Sequence, residues 1–428
     1  MDPRNRFLLS GVVAAAVTAD AWRPIDRSAA SPGSPLQFLS GLPTSELPLP
    51  TLGLQGIVGL AAARGGGMRG LRGAVGLGLT AASFAALVAL QREAGRSDEV
   101  LERALQEGLG ADYRERISEP FSPLPDVPVT RMTAMLSGFS ARRRYAANRD
   151  LSYGDHGRHN RLDIWRRADL PADAGAPVLV QVHGGAWTIG EKRGQAHPLM
   201  SHLAERGWVC VTINYRLSPR ARWPEHIVDV KRALAWTKAN IAGHGGDPSF
   251  VVITGGSAGG HLAALTALTP GHRPFQPGFE EADTSVAAAV PFYGVYDFTN
   301  RDSSAGRALV PFLERQVMHS RLADNRALWD EASPMSHVRP DAPPFFVLHG
   351  ANDVLVPVEH ARSFVRALRG ASRNPVVYAE LPRAQHAFDL LPSVRAHHTV
   401  CAVERFLAVV RSEHGGVTPA EAVTSDRV

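Results

Sequence analysis

"VVITGGSAGGHLAALTAL", residues 251–268, places one serine, Ser257, among four glycines and an alanine. The run before it, Val251 to Thr254, is continuously apolar up to the threonine and reads as a buried strand; the Ala/Leu-rich run after it reads as a helix. Glycine costs backbone entropy, so a cluster of it marks a sharp turn or a close backbone approach. A hydroxyl stripped of neighbours at a helix N-terminus also faces free N–H groups, which favour developing negative charge. The pattern points to Ser257 as a nucleophile on a strained strand–turn–helix elbow.

A serine hydroxyl needs a base, and the base needs an orienting carboxylate. Downstream, Asp353 follows the apolar run "PFFVL" in "HGANDVLVP", and His386 follows "PVVYAEL" in "PRAQHAFD". Both are expected just past the C-terminal ends of buried strands, where open α/β sheets place their reactive groups. Glu359 and Asp389 are nearby carboxylates in less favourable positions. Acyl transfer also needs donors for an oxyanion. "VQVHGGAW", residues 180–187, offers the N–H groups of Gly184 and Gly185, with that of Ala258 completing the set. His183 then serves to fix the loop. Among the aromatic residues Trp187, Phe292, Tyr293, Phe298 and Phe312, core packing is the expected role for most, and an acyl pocket the alternative.

From about residue 145 short strand-like runs alternate with helical ones. They are "RLDIWRR" (161–167), "PVLVQVHG" (177–184), "WVCVTINY" (208–215), "FVVITGG" (250–256), "AAAVPFYG" (287–294), "PFFVLHG" (344–350) and "PVVYAEL" (375–381). Such alternation predicts an α/β fold class, a mostly parallel central sheet flanked by helices. Segments 272–285 and 300–335 are inserts between strands, expected to build a helical cap with the chain before 145.

As a set, "HGGAW" (183–187), "INYRLSP" (213–219), "WPEHIVDVKRAL" (223–234), "GGSAGG" (255–260), "HGANDVLVP" (349–357) and "QHAFD" (385–389) resemble the α/β-hydrolase superfamily. They are most similar to carboxylesterases and lipases of its hormone-sensitive-lipase-like branch, over about 145–411. The resemblance implies ester cleavage through an acyl-enzyme on Ser257. His386 would be general base and acid, Asp353 its orienter, and Gly184, Gly185 and Ala258 the oxyanion hole. Two positions depart from the branch. Its H-G-G-G is here His183-Gly184-Gly185-Ala186, and its acidic residue before the nucleophile is here Gly256. A formamidase-type amidase shares the same triad and loop and is the alternative. A catalytically dead module is disfavoured by the intact Ser257, Asp353 and His386. No metal or organic cofactor is expected; the expected partner is a small-molecule or lipid ester.

Residues 1–98 form a hydrophobic N-terminal region of different character. Residues 73–90 carry no charge over the length of a short membrane span, and 47–63 are also uncharged, with prolines expected to shorten any helix. Residues 7–18 follow Arg4 and Arg6 in the manner of a signal-type apolar core. The region resembles that of bacterial membrane-associated lipases, so residues 47–90 are expected to meet a membrane surface. A cytoplasmic enzyme is the expectation if these helices pack on the domain instead. Residues 99–144 read as a helical cap segment and Pro-rich linker, 145–411 as the catalytic domain and 412–428 as a disordered tail. The net charge of +5 does not indicate nucleic acid: Lys192, Lys231 and Lys238 are the only lysines, and the arginines are interspersed with acids apart from Arg142 to Arg144. Cys210 and Cys401 lie in apolar runs and read as buried thiols.

Overall fold

The apolar runs of the C-terminal two thirds become neighbours in one sheet. The structure is a computed structural model that describes residues 1–24, 33–118, 144–299, 301 and 305–414. Its strands are β1 (Ala146–Ser152), β2 (Arg161–Trp165), β3 (Ala176–Val182), β4 (Val209–Ile213), β5 (Gly246–Gly256), β6 (Ala288–Phe292), β7 (Phe345–Gly350) and β8 (Val376–Leu381). They lie in the order β1-β2-β4-β3-β5-β6-β7-β8. β2 is antiparallel to both its neighbours, and all other pairs are parallel. In the middle, Val180 of β3 stands opposite Val211 of β4 and Ile253 of β5.

Alternate residues of each strand feed opposite apolar layers, as the two-residue period of a strand requires. Val178, Val180, Val182, Ile213 and Ile253 face one layer; Leu179, Cys210, Val252 and Phe346 face the other. The longer helices of this part are α6 (His197–Glu205), α7 (Glu225–Asn240), α8 (Ala258–Leu268), α9 (Arg326–Ala332), α10 (Glu359–Ala371) and α11 (Val394–His414). The first layer packs under α7, α8 and α10 through Leu234, Leu262 and Phe364. The second packs under α6 and α11 through Leu203 and Phe406. Each such side chain, fully withdrawn from water, stabilises the fold by about 1.5–3 kcal/mol. β1 has no counterpart in the sequence reading: "AANRDLS" is polar, and its strand is an edge with exposed or half-buried residues.

The N-terminal region folds as α1 (Pro3–Trp22), α2 (Ser34–Glu46), α3 (Pro48–Ala63), α4 (Gly70–Gly95) and α5 (Ser97–Leu109). The prolines at 48 and 50 do not shorten α3; they lie in its first turn, where an N–H has no helical acceptor to lose. α5 does not join a cap. Its Leu101 and Leu105 enter the second apolar layer with Val377 of β8 and Phe406 of α11. The Pro-rich stretch 119–128 and residues 415–428 lie outside the described residues, while 412–414 complete α11.

The N-terminal helices are fixed to the sheet-bearing part through buried polar contacts. Glu46, at the end of α2, pairs with Arg395 of α11 and accepts a hydrogen bond from Ser393 Oγ at 3.0 Å. Asn352 Nδ2 donates to the carbonyls of Ala21 and Trp22 at 3.1 Å each, and the Arg383 guanidinium lies 3.6 Å over the Trp22 ring. Removing one partner of a buried ion pair strands the other charge, at a cost of about 3–5 kcal/mol. Arg395→Ala is therefore expected to lower stability by that order in urea denaturation, and Glu46→Leu with Arg395→Met to recover most of it.

Candidate functional site

The elbow owes its shape to packing around its glycines. Ser257 connects β5 to α8 with φ 59° and ψ −120°, a left-handed conformation that is strained for any residue with a Cβ. Its N–H donates to Phe292 O at 3.0 Å. A Cβ at Gly259 would lie 2.1 Å from Val182 O, and one at Gly255 would lie 2.5 Å from Gly259 O. β3, β5 and α8 therefore approach as closely as bare backbone permits. Ala258 opens α8, and no acceptor among the described residues takes its N–H.

The loop after β3 carries two more left-handed residues, Ala186 (φ 51°) and Trp187 (φ 60°). Trp187 Nε1 donates to His261 Nδ1 at 3.2 Å, and His261 Nε2 meets Ala332 O at 2.8 Å, so this loop is pinned one turn beyond Ser257. His183 is buried, stacks on Tyr215 with centroids 4.3 Å apart and holds Gly184 O at 2.9 Å. Burial pushes its imidazole down to about 4, so it remains neutral and fixes the loop. One expected oxyanion donor is corrected here: Gly184 N–H is taken by Gln195 Oε1 at 2.7 Å. The N–H groups of Gly185 and Ala258 have no such acceptor among the described residues. Farther along, the buried Lys192 bridges Asp150 and Asp163 and anchors the loop to the sheet edge.

Asp353 and His386 meet. Asp353 Oδ2 lies 2.6 Å from His386 Nδ1, and both residues are buried. Asp353 Oδ1 accepts the N–H groups of Leu355 and Val356 at 2.8 Å each. His349 Nε2 lies 3.3 Å from Oδ2. Burial alone would raise the Asp353 carboxyl, but the charge of His386 and hydrogen bonds from His349 and His386 hold it well below the usual carboxylate range. The two loops are joined by a residue the sequence reading missed. Gln385 Oε1 accepts both Val354 N–H at 3.0 Å and His386 N–H at 2.8 Å.

Tyr293, placed among core aromatics, stands beside the site. Its ring lies 4.6 Å from that of His386, and its hydroxyl donates to Asp389 Oδ1. A Cβ at Gly256 would lie 2.6 Å from the Tyr293 hydroxyl oxygen. The absence of an acidic side chain before Ser257 thus has a steric cause: the phenol fills that space, and a carboxylate reaches the same place from Asp389. Ser257 Oγ has no hydrogen bond among the described residues. Trp187, Phe292 and Phe298 are buried in the core, and Phe312 packs against it. From the N-terminal side, Phe38 of α2 meets the His386 ring edge-on at 6.0 Å.

A family profile described as BD-FAE matches residues 162–368. The chain is 52% identical over 417 residues to the probable carboxylic ester hydrolase LipM of Mycobacterium tuberculosis, covering 97% of this chain and 96% of that one. It is 52% identical over 327 residues to the esterase LipQ of the same organism, covering 76% and 77%. Among solved structures, esterase 2 of Thermogutta terrifontis phosphonylated by sarin aligns with a TM-score of 0.53 at 26% identity, over 63% of this chain and 95% of that one. The butyrate-bound form of the same esterase aligns with a TM-score of 0.52, also at 26% identity, over 63% and 95%.

Two outcomes are expected from this geometry. Gly256→Asp should collide with Tyr293 and cost about 1–3 kcal/mol of stability, as overpacking does, while adding Tyr293→Ala should restore part of it. The second concerns acid. Burial pushes His183 and His360 down to about 4, and His226 and His261 down to about 3. The unfolded chain takes up these protons below about pH 6.5, while the folded chain stays neutral at these positions. Melting temperature should thus fall steadily from pH 6.5 towards 4 in scanning calorimetry.

Proposed function

The chain belongs to the α/β-hydrolase family of carboxylic ester hydrolases, and on that premise we propose that it cleaves its ester through an acyl-enzyme on Ser257. The observation that carries the reading is the 2.6 Å contact between Asp353 Oδ2 and His386 Nδ1. That contact places the imidazole proton on Nδ1 and leaves the Nε2 lone pair to act as base. Asp353, held ionised, orients the ring and stabilises the imidazolium formed in the reaction. Substrate binding brings Ser257 Oγ to Nε2, a contact that characteristically tightens only in the Michaelis complex.

His386 takes the Ser257 proton as Oγ attacks the ester carbonyl. The N–H groups of Gly185 and Ala258 receive the oxyanion, each such donor being worth about 3–4 kcal/mol. His386 then gives the proton to the departing alcohol, and water clears the acyl group by the same steps. The left-handed elbow supports this role, since it sets Ser257 on a sharp turn between β5 and α8 with a glycine before it. Relatives named as esterases, one of them solved with butyrate and with a sarin adduct, favour an ester over an amide.

The reading includes a small-molecule or lipid ester as substrate and contact with a membrane surface through residues 47–90. Ser257→Ala is expected to lower kcat on p-nitrophenyl butyrate by about 10³-fold or more and to abolish labelling by a fluorophosphonate probe. Retention of most turnover would refute the nucleophile. The wild-type kcat/KM on this ester should exceed that on an N-formyl amide.

A further inference from the structure

The helices α1, α3 and α4 are built with their polarity inverted. Where they meet, the contacts are small or polar. A Cβ at Gly11 would lie 2.6 Å from Gly76 O, so α1 and α4 touch backbone to backbone. Thr18 Oγ1 and Ser83 Oγ are 2.8 Å apart, Ser83 Oγ lies 2.8 Å from Gln55 Oε1, and Gln55 Nε2 lies 3.2 Å from Thr18 Oγ1. This ring of hydrogen bonds ties all three helices, with Thr18 and Ser83 buried. The outward faces carry Leu9, Val13, Leu54, Ile57, Leu60 and Leu77, each about half or more exposed. Of the described chain's exposed large apolar side chains, every one but Ile189 lies in residues 1–88. In water the apolar residues belong inside. In hydrocarbon nothing drives them there, and helices associate through small residues and interhelical hydrogen bonds.

Exposed arginines stand at both ends, Arg23, Arg92 and Arg96 at one and a larger group at the other. The start of α1, the turn after α3 and the start of α4 come together, with Arg72 Nη1 donating to Asn5 Oδ1 at 2.9 Å. This end exposes Arg4, Arg6, Arg64, Arg69 and Arg72. Asp2 is its one acid. The opposite end is the one that meets Asn352 and Arg383 of the catalytic domain. α1 with 20 residues and α4 with 26 are about 30 and 39 Å long, against a hydrocarbon core of about 30 Å.

We propose that α1, α3 and α4 are embedded in a lipid bilayer, with the arginine end at the cytoplasmic face and the catalytic domain on the opposite face. This rests on the membrane contact given above and adds its depth and direction. The chain then enters at the cytoplasmic side, crosses in α1, returns in α3, whose 16 residues run about 24 Å within the bilayer, and crosses again in α4, with the arginine excess on the side that the positive-inside bias favours. α2, between the first two crossings, lies at the outer interface, with Leu36 and Leu39 exposed and Phe38 turned to His386.

The test uses the full chain expressed in bacterial cells, with Cys401→Ser as background and single cysteines introduced by Met68→Cys at the arginine end or Ala172→Cys on the catalytic domain. The expected result is a carbonate-resistant membrane pellet. A membrane-impermeant maleimide should label Met68→Cys only in inverted vesicles and Ala172→Cys only in spheroplasts. Leu54→Arg with Leu77→Arg should shift the protein to the supernatant. Extraction by carbonate, labelling of both cysteines from one side, or a detergent-free soluble oligomer in which a second copy covers the apolar flanks would each overturn the proposal. Hydrolysis of p-nitrophenyl butyrate, followed in parallel, separates the two readings. An active enzyme in the supernatant defeats the bilayer placement alone, and an inert protein in the pellet defeats the ester reading alone.

Discussion

The contact on which the rest depends is the one between bare backbones at Gly255, Gly259 and Val182. With no Cβ at either glycine, α8 can begin directly against the carbonyl of β3. That proximity accompanies the left-handed conformation of Ser257 and leaves the N–H of Ala258, the first residue of α8, without an acceptor among the described residues. The candidate site residues then lie within a few residues of the ends of β3, β5 and β7, with β6 between the last two and the β8 loop closing the circle. The strain at Ser257 is held in place by a sheet whose central strands are buried on both faces.

Electrostatically the site separates its ionisable groups by environment. Asp353 is buried yet surrounded by donors, two from the backbone and two from histidines, and stays charged. His183 and His261 are buried without such compensation and stay neutral, acting as rigid spacers under the loop they support. Three histidines within one region therefore have different duties, and His386 differs from the others by its carboxylate. Asp389 adds a second acid near the same ring, reached through the Tyr293 phenol.

The strand–turn–helix around Ser257, the order of the other two residues and most of the sheet could be read from sequence because they rest on local patterns: apolar runs, glycine spacing and chain order. What escaped depends on contacts between distant positions. β1 is polar because it is an edge, so it carries no apolar signal. Gln195 takes the Gly184 N–H across a loop, and nothing in the spelling of "HGGAW" reveals which of its N–H groups are already occupied. The exchange at Gly256 is legible as a missing acid, but its cause lies at Tyr293 and Asp389, the latter 96 residues beyond the former. The pairing of Glu46 with Arg395 spans 349 residues and joins two segments of unrelated composition.

Asn352, which grips the end of α1, immediately precedes Asp353; Arg383 and Gln385, which meet Trp22 and α2, immediately flank the approach to His386. Through these side chains the N-terminal helices and the Asp353–His386 pair are mechanically in series. A tilt of the helices is transmitted to the two loops whose separation sets the Asp353–His386 contact. The N-terminal region is in this sense a structural member of the site, and a change in its packing would alter the Asp353–His386 geometry as well.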